Sequence, residues 1–332
     1  MGAITNNLEY FVNTILDIVT IKSGLVISEE KLIDILNKSF PNDKTFRNYE
    51  QRRKYAVRIR SEEFDSICWE VRKVLGEIEE TYQPYFIGDV RRMMELTDQG
   101  YDSIKILRGI IDIMAELHTP EDPKYLDPTE VVQIALSRKI APLPIIMEMI
   151  DSIVKPQKLS NSIYPVEQIN WDGGTNLEDL FSKESLPKKT DDFIEQKFIN
   201  YLQANPEMLE FMHWRNFERL TAEFFKRQNY FVELGPGSND GGVDLRIYDK
   251  KDDTKPYIII QCKRHKKSNE VKIETVKSFY TDVDFEGAKK GIIATTSRIA
   301  EGGKKVATIR KYPLEFAENN EIKKWVDKMK HR

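Results

Sequence analysis

The chain has 332 residues and a formal net charge of −3, with 40% hydrophobic and 32% charged side chains. That length suits two domains, and the composition is that of a globular protein with a sizeable core, not of a disordered or fibrous chain. Two cysteines, Cys68 and Cys262, exclude a disulfide framework, and no clustered Cys/His set points to zinc.

In chain order, the N-terminus MGAITNNLEYF lacks the basic and apolar segments of a leader peptide. Residues 1–155 then read as an all-α module. Leu8, Phe11, Ile15, Ile18 and Val19 recur at helical spacing, as do Leu32, Ile33, Ile35 and Leu36 after a possible Ser28 cap. Ser61 opens a longer helix with Phe64, Ile67, Cys68, Val71, Val74, Leu75 and Ile78 on one face. Another runs from about Asp102 to Leu117. Asp127-Pro128-Thr129-Glu130 is a helix start: a cap, proline at the first helical position and glutamate three after the cap. The most apolar stretch, Ile140 to Met147, is short and broken by Pro142 and Pro144, so we expect no membrane association and a cytoplasmic protein.

Within this module Lys44 to Arg60 carries seven basic residues against Glu50 alone, with Phe46, Tyr49 and Tyr55 interleaved. Such a patch can grip phosphates and stack on bases, or it can be a basic face answering acidic surroundings. Residues 156–190 read as a linker, punctuated by Pro156, Pro165, Gly173, Gly174 and Pro187.

Residues 191–332 change character. From Trp214 onward, 26 Lys+Arg face 18 Asp+Glu, which leaves 25 against 36 for the rest of the chain. The order of elements is α-β-β-β-α-β-α-β-α, a small mixed α/β sheet flanked by helices. Asn216 to Gln228 is an amphipathic helix, and Asp244–Tyr248 with Tyr257–Lys263 forms a hairpin.

Chemistry concentrates between Gly235 and Lys263. Side chains two apart on a strand share a face, so Gln261 and Lys263 project together and Cys262 points into the opposite layer as a buried structural thiol. Asp244 can face the same cleft from the neighbouring strand. Cleaving a phosphodiester requires charge neutralisation, an activated water and help for the leaving oxygen, much of which carboxylate-bound Mg2+ supplies. Asp244 is the natural first ligand and Gln261 a second through its amide oxygen. Because Gln261 is neutral, the site is one negative charge short, with Glu218 the first candidate to supply it and Asp240 the second. Lys263 would orient the attacking water and stabilise developing charge.

Phe217-Glu218-Arg219-Leu220, Asn229-Tyr230, Asp240-Gly241-Gly242-Val243-Asp244 and Ile260-Gln261-Cys262-Lys263-Arg264 resemble the Mrr-like branch of the PD-(D/E)xK nucleases, as do Gly291 to Ser297 and the Ala300 to Ala307 helix. The resemblance covers roughly Trp214 to Ile309. It implies a restriction-endonuclease-like core that cuts DNA with Mg2+, or with Mn2+ in its place. Asp244, Gln261 and Lys263 take the catalytic positions and Glu218 serves as an auxiliary acid. Most of the wider superfamily has glutamate where Gln261 stands, but glutamine is usual in this branch.

Around this site Arg264, His265, Lys266 and Lys267 form a basic run suited to the DNA backbone, and Thr295, Thr296 and Ser297 end a strand where hydroxyls can donate to phosphates. Each has a plain alternative: a solvated basic face, a surface histidine, an ordinary strand end. For Asp240 it is a turn-stabilising role.

The leading expectation is a DNA endonuclease with the helical module controlling activation, assembly or targeting through a protein partner, a signal or a second copy of the chain. Defence against foreign DNA is the usual setting that the resemblance implies. Cutting two strands with one site per chain implies a homo-oligomer. A junction-resolving or repair nuclease, and a catalytically silent DNA-binding protein with a nuclease fold, are the alternatives.

Overall fold

The computed structural model describes residues 2–79, 93–117, 128–150, 174–184, 192–237, 241–250 and 254–330. The chain divides into two compact units: residues 1–79 together with 163–332, and residues 80–162. This differs from the expected division at 155. Residues 1–79 share one apolar core with the C-terminal sheet, because helix faces that look self-contained in sequence are buried against it.

The first unit begins with strand β1 (Ala3–Asn7) and the helix Leu8–Ser23. Asn7 caps that helix by accepting the Tyr10 N–H at 2.8 Å, which satisfies one of the amides a helix start leaves unpaired. Leu8, Phe11, Val12, Ile15 and Val19 are buried along one stripe. After β2 (Leu25–Val26), Ser28 caps the helix Glu29–Ser39 by accepting from Lys31 N–H at 3.1 Å. β3 (Ala56–Arg60) pairs antiparallel with β1, a ribbon absent from the all-α expectation. The helix Ser61–Val74 follows, burying Ile67, Cys68 and Val71.

Two features join these helices to the rest of the unit. Gly76 adopts φ +79, and a Cβ there would overlap the main chain at Asn200 and Tyr201 of the helix Gln196–Ala204. Only glycine permits that approach. In the expected linker, β4 (Thr175–Asn176) pairs in parallel with β2, and Leu177 and Leu180 are buried. The described part of 156–190 is therefore a strap belonging to the core, held by backbone pairing that its glycines and acidic residues did not announce.

The five-stranded sheet has the order β11-β9-β7-β6-β5, with β5 at Phe231–Leu234, β6 at Leu245–Tyr248, β7 at Ile258–Lys263, β9 at Lys290–Thr295 and β11 at Leu314–Ala317. β5–β6 and β6–β7 run antiparallel, whereas β7–β9 and β9–β11 run parallel. β8 (Glu270–Val271) and β10 (Arg298–Ile299) add a short parallel pair. One face of the sheet carries Leu245, Ile247, Ile258, Ile260 and Cys262 against Phe217 and Leu220 of the helix Trp214–Arg227 and Trp325 of Asn319–Met329. The other carries Ile259 and Ile293 against Val276, Phe279 and Val283 of the helix Ile273–Glu286, with Ala307 of Glu301–Ile309. Each fully buried side chain of this kind contributes about 1.5–3 kcal/mol of apolar transfer.

The second unit packs the helices Ser103–Leu117 and Pro128–Ser137 with 143–150 around Ile106, Ile110, Ile113, Val131, Ala135, Ile146 and Met149. Its expected cap, Asp127, lies outside the described residues. Among the described residues no helix is long and apolar enough to cross a membrane.

Of the seven basic residues of the Lys44–Arg60 patch, Lys44, Arg47, Lys54, Arg58 and Arg60 are exposed. Phe46 and Tyr49 are core residues, and Arg52 donates to the Lys44 carbonyl at 2.7 Å. Arg53 pairs with Glu9 at 2.8 Å and Glu29 at 3.3 Å. Tyr55 alone of the three aromatics is open to solvent.

Candidate active site

The site lies where the sheet frays. β6 begins at Leu245 while β7 runs on to Lys263, so the end of β7 outlasts its antiparallel partner. Asp244 fills the gap. Its amide donates to Ile260 O at 2.9 Å, and its Oδ2 accepts the Cys262 N–H at 2.6 Å, standing in for a ladder carbonyl. A carboxylate offers several lone-pair positions, so this bond orients Asp244 without exhausting it.

Leu245 pairs with Ile260, which puts Asp244 opposite Gln261 at the next step of the ladder, on the same face. Gln261 is buried, and its Nε2 donates to Gly242 O at 2.9 Å. Among the described residues no donor reaches Gln261 Oε1. Leaving a buried acceptor unsatisfied costs about 1–3 kcal/mol, so this amide oxygen near the buried Asp244 is open to a further partner. Gly242 sits at φ +90, and a Cβ there would come within 3.1 Å of Gln261 Nε2. The glycine pair thus lets the chain pass close over the amide. Lys263 follows on the same face, half-buried, with its carbonyl accepting from Thr295 Oγ1 at 2.6 Å.

Cys262 points the other way, as strand parity requires. Burial, then the charge of Asp244, pushes its thiol well above the usual value, with Glu218 adding to the same effect. A thiol so held is not a nucleophile. Glu218 is buried and pairs with Arg215 Nη1 at 2.6 Å, while Arg215 Nη2 donates to Gly235 O at 2.7 Å. Gly235 N–H in turn donates to Asp244 O at 2.8 Å. Glu218 is therefore tied through Arg215 and the glycine turn to the Asp244 strand. Sequence reasoning missed Arg215, although its i,i+3 spacing to Glu218 is a readable signal. Asp240 lies outside the described residues. Among those described, no three His, Cys, Asp or Glu side chains gather as a metal cluster.

The basic run divides. Lys266 and Lys267 are exposed, and Arg264 and His265 are half-buried. Arg264 Nη1 reaches Glu210 O at 3.4 Å. Burial, then Lys263 and Arg264, holds the His265 imidazole below its usual value, favouring the neutral ring. Thr295, Thr296 and Ser297 are all buried. Thr296 Oγ1 accepts from His265 N–H at 2.9 Å and donates to His265 O at 2.7 Å, and the Thr295 and Ser297 hydroxyls lie 3.1 Å apart. These hydroxyls lock β9 to the end of β7.

The structure also brings in Asp282, which strand patterns could not reach. Its Oδ2 would lie 3.6 Å from a Cβ on Gly242. Burial, then Glu286, raises its carboxyl above the usual value.

A family model described as restriction endonuclease, Mrr_cat, matches residues 209–326, the span that holds this sheet and its strand-end site. The match is to this segment and not to the whole chain: residues 209–326 are similar to a restriction-endonuclease domain of the Mrr type. The chain is 25% identical over 122 residues to Uncharacterized protein y4cE of Sinorhizobium fredii (strain NBRC 101917 / NGR234), covering 36% of this chain and 31% of that one. The match thus spans about a third of the length of this curated relative. A solved structure, the MspJI restriction endonuclease in complex with a 27-mer oligonucleotide, aligns over 43% of this chain and 35% of that chain, with a TM-score of 0.32 and 19% identity.

Proposed function

We propose that the chain is a divalent-metal-dependent DNA endonuclease, with its site at the end of β7. The observation that carries this reading is the buried, unpaired Oε1 of Gln261 on the same sheet face as Asp244, one strand position pair away from Lys263. Asp244 and the Gln261 amide oxygen would hold Mg2+ or Mn2+, with Glu218 and Asp240 as the auxiliary acids. When bound, such an ion neutralises phosphoryl oxygens and makes water a stronger nucleophile.

The chain's own groups do the rest. Asp244 is kept in orientation by the Cys262 amide, and Gln261 by Gly242 O. Lys263 orients the attacking water and stabilises charge that develops on the phosphate oxygens. Arg264, Lys266 and Lys267 engage the backbone, the two exposed lysines as unspecific phosphate contacts. His265, held neutral, serves as a hydrogen-bonding group at the rim and not as a fixed cation.

In this reading the enzyme is cytoplasmic and acts as an oligomer, since each chain carries one site and duplex cleavage needs two. Its setting is defence against foreign DNA, either as a modification-dependent restriction enzyme or as the effector of a multi-protein system. Helical residues outside the sheet control activation, assembly or targeting through a partner or signal.

Plasmid cleavage tests the site. Mg2+ should support nicking that EDTA abolishes, and Asp244→Ala and Lys263→Ala should each reduce it by on the order of 10²–10³ or more. Cleavage surviving in either variant would overturn the assignment. A preference for branched over linear duplex would favour junction resolution in place of restriction.

A further inference from the structure

Gln261 leaves the proposed ion short of one negative charge, and the helix Ile273–Glu286 carries an unassigned carboxylate, Asp282, close to Gly242. That helix buries Val276, Phe279 and Val283 against the sheet, while Thr281, Asp284 and Phe285 face solvent. Asp282 therefore sits at the margin of the buried stripe. Its Oδ2 lies 3.6 Å, and Gln261 Nε2 3.1 Å, from the position a Cβ would take on Gly242. Carboxylate and amide thus both lie close to Gly242, whose φ of +90 and the 3.1 Å from a Cβ to Gln261 Nε2 favour glycine at that position.

The neighbouring charges are already matched. Arg246, on the same face by its pairing with Ile259, is taken up by Glu286, with Nε to Oε2 at 3.0 Å. Among the described residues Asp282 forms no ion pair, and its charge is opposed by Glu286 without a cation of its own. The independent sign of a ligand is Gln261 Oε1, with the residue 6% exposed and no donor found for that oxygen. Gln261 Nε2 gives one hydrogen to Gly242 O at 2.9 Å, and among the described residues its second hydrogen has no acceptor.

We propose that Asp282 is a positioning residue for the divalent ion: it supplies the negative charge that Gln261 lacks and holds the Gln261 amide with Oε1 turned toward the ion. This rests on the metal-dependent reading above. Groups behind first ligands typically change metal affinity by about 10–100-fold.

The test is Mn2+ binding to the full chain without DNA, by calorimetry, with melting temperature as a check on folding. Asp282→Asn should weaken Mn2+ about tenfold or more. Asp284→Asn, exposed on the same helix, should leave affinity unchanged. The decisive arm is compensation: adding Gln261→Glu to Asp282→Asn should restore affinity, and should raise it more in that background than in wild type. Unchanged affinity in Asp282→Asn, or no restoration by Gln261→Glu, overturns the role of Asp282 while leaving the metal site standing. Should Asp282→Asn unfold, Gln261→Glu alone still decides: with Asp282 already supplying the charge, affinity should rise less than about tenfold, and a rise of about a hundredfold would show that Asp282 supplies none. If wild type binds no Mn2+, and Asp244→Ala therefore changes nothing, the metal-dependent reading fails and this inference fails with it.

Discussion

The two faces of the central sheet, formed by alternate residues of the same strand, have opposite fates. On the Cys262 face, Ile258 and Ile260 enter a core that continues through Phe217 and Trp325 to Phe11 and Val19 near the N-terminus. On the Gln261 face, Ile259 joins a smaller core, and the strand end carries polar atoms whose hydrogen-bonding capacity is not filled from within. A one-residue alternation thus separates what holds the fold from what is available to a ligand. Stability and chemistry can be perturbed almost independently through neighbouring positions.

The largest effect expected on this comparison comes from far along the chain. Phe11→Ala should cost about 3–5 kcal/mol. Amide exchange should accelerate not only in residues 2–79 but also across Ile258–Lys263 and Asn319–Met329. Exchange confined to the N-terminal helices would break the continuity of that face. A smaller effect is expected at the strand itself: Cys262→Ala should lower stability by about 1 kcal/mol in urea titration while plasmid cleavage is retained. Loss of cleavage at normal stability would instead bring the thiol into the chemistry.

The smallest expected effect separates the faces by pH. The Arg246 guanidinium, bonded to Glu286 on the Gln261 face, holds that carboxyl below its ordinary value of 4.5. Glu286 therefore binds its proton more weakly in the folded chain than in the unfolded one. The stability this provides is complete above the ordinary glutamate range and is lost as pH falls through the lowered, folded value. Arg246→Gln should narrow the gap to wild type over that acid window, read by thermal melting from pH 6 downward. A gap that stays constant would show that the pair contributes by packing alone.

Much of this division was legible in the sequence. Alternation along Tyr257–Lys263 gives the parity of Gln261, Cys262 and Lys263, and a polar turn between two apolar runs gives the hairpin. Tyr257 departs from the pattern, packing against the larger core at the strand's start. What was not legible depends on distant packing. Nothing local to Leu8–Ser23 tells that it shares a core with Phe198, or local to Gly76 that it closes onto Asn200. Thr295, Thr296 and Ser297 look like surface hydroxyls until β9 is placed beside β7 and their bonds to Lys263 and His265 appear. Asp282 reads as one acid on an amphipathic helix, and only docking of that helix on the sheet brings it to Gly242.

The bond from the Cys262 amide to Asp244 Oδ2 has a further consequence. One carboxylate both closes the last rung of the ladder and forms part of the cleft, so fraying of the strand end also releases the group that a ligand would engage. By reciprocity, whatever binds Asp244 in its ordered position must protect that amide by the same free energy that order lends to binding. Local melting at the tip of β7 and emptiness of the cleft are in this sense one equilibrium, with the Cys262 amide proton as its reporter.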